Sequence, residues 1–159
     1  MATILTGDSI LSHMNDFISP FIQLVCQRGA YIEDVFPLLL KNNVMTHAKS
    51  TIIHIGTNNI NSDHSIRSCM EKIDMLCRDI KSINKNCCLY FSSVLLRGDN
   101  LHDSERCPAR IYYLNCMIDK FNQQLSSYCF FQGHTFIDHA PYFTVDNLTR
   151  DNWYPYCNG

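Results

Sequence analysis

The chain has 159 residues, 46% of them hydrophobic and 18% charged, with a formal net charge of −2 and a pI near 6.3. That length fits a single domain with a substantial core, and so even a charge balance gives no electrostatic reason to expect nucleic acid or an anionic membrane as partner. No apolar run is long enough to span a bilayer, no secretion leader is visible, and nine cysteines without a Cys-x-x-Cys argue against a disulfide framework or a zinc site. These features give the reading of a cytoplasmic protein in a reducing compartment. The sequon Asn147-Leu148-Thr149 then counts as chance.

Ala2 to Leu5 reads as a buried strand that breaks at Gly7-Asp8-Ser9 into a helix start. A serine there exposes its hydroxyl at a turn and lies among free helix N–H groups, which is how nucleophilic serines are placed. Taken alone, however, Ser9 reads first as a helix N-cap. A helix over Ile10 to Phe17, closed by Pro20, precedes a second apolar run, Phe21 to Cys26, and a loop, Gln27-Arg28-Gly29-Ala30. Helical spacing resumes over Tyr31 to Lys41, with Pro37 inside it predicting a short or kinked helix.

Thr51 to Ile55 is a central parallel strand by its apolar character on both faces. It runs into Gly56-Thr57-Asn58-Asn59. From Ser65, residues Ile66, Cys69, Met70, Ile73, Leu76, Cys77, Ile80 and Ile83 mark one face of a long amphipathic helix, with N-cap candidates in Asn61-Ser62-Asp63. Cys88 to Val94 is a fourth strand, Arg97 to Arg106 a polar loop, and Pro108 opens a second long helix. Thr135 to Asp138 is a fifth strand. Residues 140–159 carry no helical or strand period, and the domain, read as one unit over 1–159, looks truncated there. Strands alternating with helices give an α/β domain with a parallel five-stranded sheet.

Ligands of such sheets bind beyond the carboxyl ends of the strands. Three turns would converge there, Gly7-Asp8-Ser9, Arg28-Gly29 and Gly56-Thr57-Asn58-Asn59, offering a nucleophile and N–H donors for an oxyanion. Turn chemistry alone also accounts for Gly29 and the asparagines.

With these residues in place, the sequence resembles the SGNH (GDSL-type) hydrolases. Gly7-Asp8-Ser9 matches the family's first block, Gly29 the second, and Gly56-Thr57-Asn58-Asn59 the third, usually Gly-x-Asn-Asp. Leu114-Asn115 and the strand ending Phe136-Ile137-Asp138 also look like the family, and the resemblance covers residues 2–140. Within it, the spacing is most similar to esterase domains in the first open reading frame of some non-LTR retrotransposons. The resemblance implies a three-layer αβα, flavodoxin-like fold. It further implies Ser9 as nucleophile, and the Ser9 and Gly29 N–H groups and the Asn58 side chain as oxyanion donors.

Two positions depart from the pattern. Asn59 replaces the usual aspartate, so the hydrogen bonding around it must differ. The family's last block, Asp-x-x-His, is absent after the fifth strand; the sole match, Asp99 to His102, precedes it. The base is therefore expected beyond Gly159, leaving this chain nearly inactive, because losing a triad base costs about 10⁴–10⁶ in turnover. His139 is the best substitute within the chain, although Asp138, its neighbour on an extended segment, points away from it. His54 reads as a packed core histidine, and His13, His47, His64 and His134 as surface or helix-end residues.

The expectation is a serine esterase acting on small acyl or acetyl esters of lipids or sugars, with no metal, no cofactor and no nucleic-acid partner; the sequence fixes no oligomeric state. The alternative is a degenerate, non-catalytic binding or interaction module of the same fold. A weaker third reading is a flavodoxin-like phosphate binder using the Gly7 turn.

Overall fold

The computed structural model describes residues 2–98 and 108–142. The Asp99–His102 match, the loop around it, the sequon and the segment 143–159 lie outside the described residues. Five strands, β1 (Ala2–Gly7), β2 (Ile22–Cys26), β3 (Ala48–His54), β4 (Cys88–Ser92) and β5 (Thr135–Ile137), form one sheet in the order β2-β1-β3-β4-β5. Every neighbouring pair is parallel. Four α-helices connect them: α1 (Ile32–Lys41), α2 (Thr57–Asn61), α3 (Ile66–Ile83) and α4 (Pro108–Gln132). The α/β architecture around a parallel five-stranded sheet is the one the strand–helix alternation predicts.

The order of strands dictates where the helices go. The crossovers from β2 to β3, β3 to β4 and β4 to β5 all step in one direction across the sheet, and right-handed connections then put α1, α3 and α4 on one face. The step from β1 to β2 runs the other way, so the 3-10 helix Ser9–His13 covers the opposite face. The core lies under the three long helices. Ile4, Val25, Ile53, Leu89 and Phe91 from alternate strand positions meet Leu39, Ile73, Ile118 and Phe121 from the helices, all buried. Burying each such side chain contributes about 1.5–3 kcal/mol.

Local chemistry adjusts several predicted boundaries. The first helix stops at His13 instead of reaching Phe17, because Ser12 Oγ donates to the Ser9 carbonyl at 2.6 Å, a local bond that competes with helix propagation. A turn on Ser19, whose carbonyl accepts the Ile22 N–H, delays β2 to Ile22. α1 is short, at ten residues, and runs through Pro37, which is exposed where water can reach the carbonyl it leaves without a donor. Gly56-Thr57-Asn58-Asn59 does not stay a loop: Thr57, Asn59 and Ile60 are buried, and Thr57–Asn61 closes into α2. The cap of α3 is Ser65, whose hydroxyl accepts the Ser68 N–H at 3.0 Å, and not Asn61-Ser62-Asp63. Asp63 instead takes a positive φ of 59° in the turn between α2 and α3. β5 ends at Ile137, one residue early, since the Asp138 carboxylate turns back to the Ala140 N–H.

Candidate active site

Gly7 ends β1 wedged against β3. A Cβ there would lie 1.9 Å from the His54 carbonyl oxygen, so only glycine allows the strands this approach. The next residue uses the proximity: the Asp8 N–H donates to that same carbonyl at 3.3 Å. Asp8, not Ser9, caps the helix, its Oδ1 accepting the Ile10 N–H at 3.1 Å. This decides between the two readings of Ser9 as far as capping goes. The half-buried Ser9 leaves its hydroxyl outside the cap, and among the described residues its Oγ makes no hydrogen bond.

The second turn is anchored to the first. The Gln27 N–H donates to the Gly7 carbonyl at 3.1 Å, and the Ala30 N–H closes a tight turn onto Gln27 O at 3.2 Å. Gly29, at φ +72°, occupies the position of that turn which demands a left-handed backbone. The third turn is anchored to the second: Asn58 Nδ2 donates one proton to the Ala30 carbonyl at 2.9 Å. The three turns singled out in the sequence are therefore bonded to one another at one edge of the sheet. The donors on these turns that have no partner among the described residues include the N–H of Ser9, the N–H of Gly29 and the second proton of Asn58 Nδ2.

Asn59 makes the different hydrogen bonding its side chain requires. Fully buried, it accepts the Ile32 N–H on Oδ1 at 2.9 Å and donates from Nδ2 to Glu33 Oε2 at 3.0 Å. His64 Nδ1 is 3.1 Å from the same Nδ2 and 3.2 Å from Lys72 Nζ, which pairs with Glu33 Oε1 at 3.0 Å. Partial burial pushes the Glu33 carboxyl up, but hydrogen bonds from its own backbone N–H, Asn59 and Lys72, with the Lys72 charge, outweigh it and hold the group below the usual carboxylate range. His64 stands at a helix end, directly before the Ser65 cap of α3, in line with the surface or helix-end expectation, and its ring stacks on Tyr31 at 5.6 Å.

Behind the Ser9 turn sits a buried polar row. His54 is 4% exposed and bonds Ser92 Oγ through Nδ1 at 2.6 Å, as befits a packed core histidine. Burial lowers its pKa, against the opposing pull of Asp8. His139 follows β5 at the same sheet edge; its N–H donates to Ser93 Oγ at 2.9 Å, and its ring centroid lies 6.4 Å from that of His54. Burial, and then the neighbouring His54, keep His139 below the ordinary imidazole range despite Asp138. The Asp138 carboxylate is spent on the Ala140 N–H, in keeping with the expectation that it does not orient His139.

The loop after β4 is fixed by paired amides. Asn122 accepts the Val94 N–H at 2.8 Å and donates to the Val94 carbonyl at 2.9 Å, and Asn115 holds Arg97 in the same two-bonded way at 2.7 and 2.8 Å. Sequence reasoning singled out Asn115 but missed Asn122; their spacing of seven residues on one helix was the available signal. It also missed Glu33 and Lys72. Among the described residues no three His, Cys, Asp or Glu side chains gather as a metal site, and no helix is long and apolar enough to cross a membrane.

Chains of known structure share this fold. A GDSL-like lipase from Bacteroides thetaiotaomicron superposes with a TM-score of 0.79 at 14% identity, over 98% of this chain and 80% of its own. The fold is that of the SGNH hydrolases. A variant of an acetyl-xylooligosaccharide esterase from Geobacillus is similar over 98% of this chain and 86% of its own, at 12% identity and a TM-score of 0.66. A carbohydrate acetylesterase family member from Sinorhizobium meliloti follows at 10% identity, a TM-score of 0.67, and 98% and 90% coverage. No protein-family model matches the sequence, and no curated protein does. At these identities the SGNH likeness is one of fold, and the chemistry rests on this chain's own residues.

Proposed function

We propose that the protein is an SGNH-type serine ester hydrolase for small acyl or acetyl esters, with Ser9 as nucleophile. The observation that carries this reading is the set of unspent donors, Ser9 N–H, Gly29 N–H and Asn58 Nδ2, on three mutually bonded turns beside a serine hydroxyl that caps nothing. Ser9 Oγ attacks the ester carbonyl and the oxyanion is received by these donors. The reaction also needs a base that takes the Ser9 proton and passes it to the leaving alcohol; His139, which follows β5 at the same sheet edge, is the best substitute for that base among the described residues, and its lowered pKa suits the neutral ring the role requires. Water then hydrolyses the acyl-enzyme by the reverse sequence. Acetylesterases among the structural neighbours support a small acyl group.

The test is fluorophosphonate labelling with the tagged peptide identified by mass spectrometry, alongside hydrolysis of p-nitrophenyl acetate. Ser9 takes the label, Ser9→Ala abolishes it, Asn58→Ala lowers turnover by about 10²–10³, and His139→Ala by about 10² or more. A second reading is a non-catalytic ligand-binding module of the same fold. Ser9 that stays unlabelled while the protein is folded refutes His139 as the base, and the same labelling with downstream residues restored then separates an esterase that lacks its base from the binding module.

A further inference from the structure

Position 59 lacks the carboxylate of the SGNH pattern, yet a carboxylate stands next to it. Glu33 Oε2 receives the Asn59 Nδ2 proton at 3.0 Å, and Lys72 balances the Glu33 charge from the facing helix at 3.0 Å. Asn59 meanwhile spends its oxygen on the N–H of Ile32, the first residue of α1. Its neighbour Asn58 grips Ala30, two residues earlier. Consecutive asparagines on α2 therefore pin the segment from Gly29 to Ile32 at two points, and that segment carries the Gly29 N–H.

We infer that Glu33 and Lys72 are positioning residues for the oxyanion donors, acting through Asn59, and that asparagine at 59 is matched to glutamate at 33. The matching follows from donor and acceptor counting. An aspartate at 59 still accepts the Ile32 N–H, but its second oxygen would face the Glu33 carboxylate at hydrogen-bond distance with no proton between them. It would also offer His64 Nδ1, 3.1 Å from the present amide, an acceptor in place of a donor, so that contact would survive only with a proton on Nδ1. Two carboxylates at that separation repel and part, either by the 43% exposed Glu33 side chain swinging to solvent, which gives up the Asn59 contact, or by α1 moving off α2 and taking Gly29 away from Asn58. Moving the negative charge from 33 to 59 removes the conflict. In Asn59→Asp with Glu33→Gln, the new amide at position 33 supplies the missing proton, and Lys72 still faces a single carboxylate. The net charge of the cluster is then that of the wild type.

The catalytic consequence rests on the esterase reading, so two readouts are taken on the full chain. One is amide hydrogen exchange at Gly29 to Ile32, which reports the pinning whether or not the protein is an enzyme. The other is the rate of fluorophosphonate labelling at Ser9. Asn59→Asp speeds exchange across this segment and slows labelling, each by about tenfold. Asn59→Asp with Glu33→Gln returns both to within about threefold of wild type, and Glu33→Gln alone shifts both by less than about threefold. Asn59→Asp that unfolds while the double variant folds supports the matching equally. The inference is overturned if Asn59→Asp leaves exchange unchanged, if the double variant is no better than the single one, or if neither folds. Wild-type protein that takes no label at Ser9 refutes His139 as the base instead, and exchange alone then decides whether the asparagine and glutamate are matched.

Discussion

An alanine at position 7 forces a methyl group into space already taken by backbone. The added carbon would sit 1.9 Å from the His54 carbonyl oxygen, 2.8 Å from the His54 carbonyl carbon and 3.1 Å from Leu11 Cδ1. Ordinary contact starts near 3.4 Å, so β1 and β3 must part by roughly 1.5 Å at their carboxyl ends. Overpacking of this kind costs about 1–3 kcal/mol. Parting the strands also breaks the Asp8 N–H bond to the same carbonyl, and a buried amide left unpaired costs about 1–3 kcal/mol more. The φ of +154° adds backbone strain. The total is about 3 kcal/mol or more, a large share of the roughly 5–15 kcal/mol that stabilises a domain. Gly29→Ala is the matched control, because its φ is +72° but nothing lies within 4 Å of the new methyl; left-handed strain alone costs about 1–2 kcal/mol. Urea denaturation followed by circular dichroism measures both. Gly7→Ala within about 1 kcal/mol of wild type, or no less stable than Gly29→Ala, would refute the argument from the strand contact.

Two further outcomes follow from the bonds described. Asn122→Ala strands both polar groups of the buried Val94 backbone, so stability falls by about 2–4 kcal/mol and exchange of the Val94 amide accelerates; a loss under about 1 kcal/mol would mean that water replaces the clamp. Stability also depends on pH through His54, His134 and His139, whose folded pKa values are all lowered, chiefly by burial. The unfolded chain, with imidazoles near about 6.5, takes up protons first as pH falls, so this stabilisation is complete above that value and is lost on acidification through the folded values. The melting temperature therefore drops between pH 7.5 and 5.5 and drops less in His54→Gln, whereas equal slopes in the two proteins would sink the assignment to His54.

Much of the fold is written in short stretches of the chain. The apolar face of α3 is buried from Ile66 through Ile80 as its 3.6-residue period requires, apart from a partly buried Met70, while Ile83 at the helix end is exposed. The strands, too, fall within a few residues of their apolar runs. Periodicity is recorded among neighbours, which is why one sequence suffices to read it. The turns at Gly7, Gly29 and Gly56 were legible for the same reason, as breaks between such runs, and each takes a positive φ. What no local pattern held was who bonds to whom. That Asp8 takes the cap and frees the Ser9 hydroxyl depends on how the chain leaves β1 against β3. The bond between Asn58 and Ala30 spans 28 residues, and that between Asn59 and Glu33 spans 26. Those partners meet only once β1, β2 and β3 have paired in register and α1 has crossed back over the sheet. The sequence determined the parts and marked position 59 as irregular; the tertiary structure alone decided which distant carboxylate answers it.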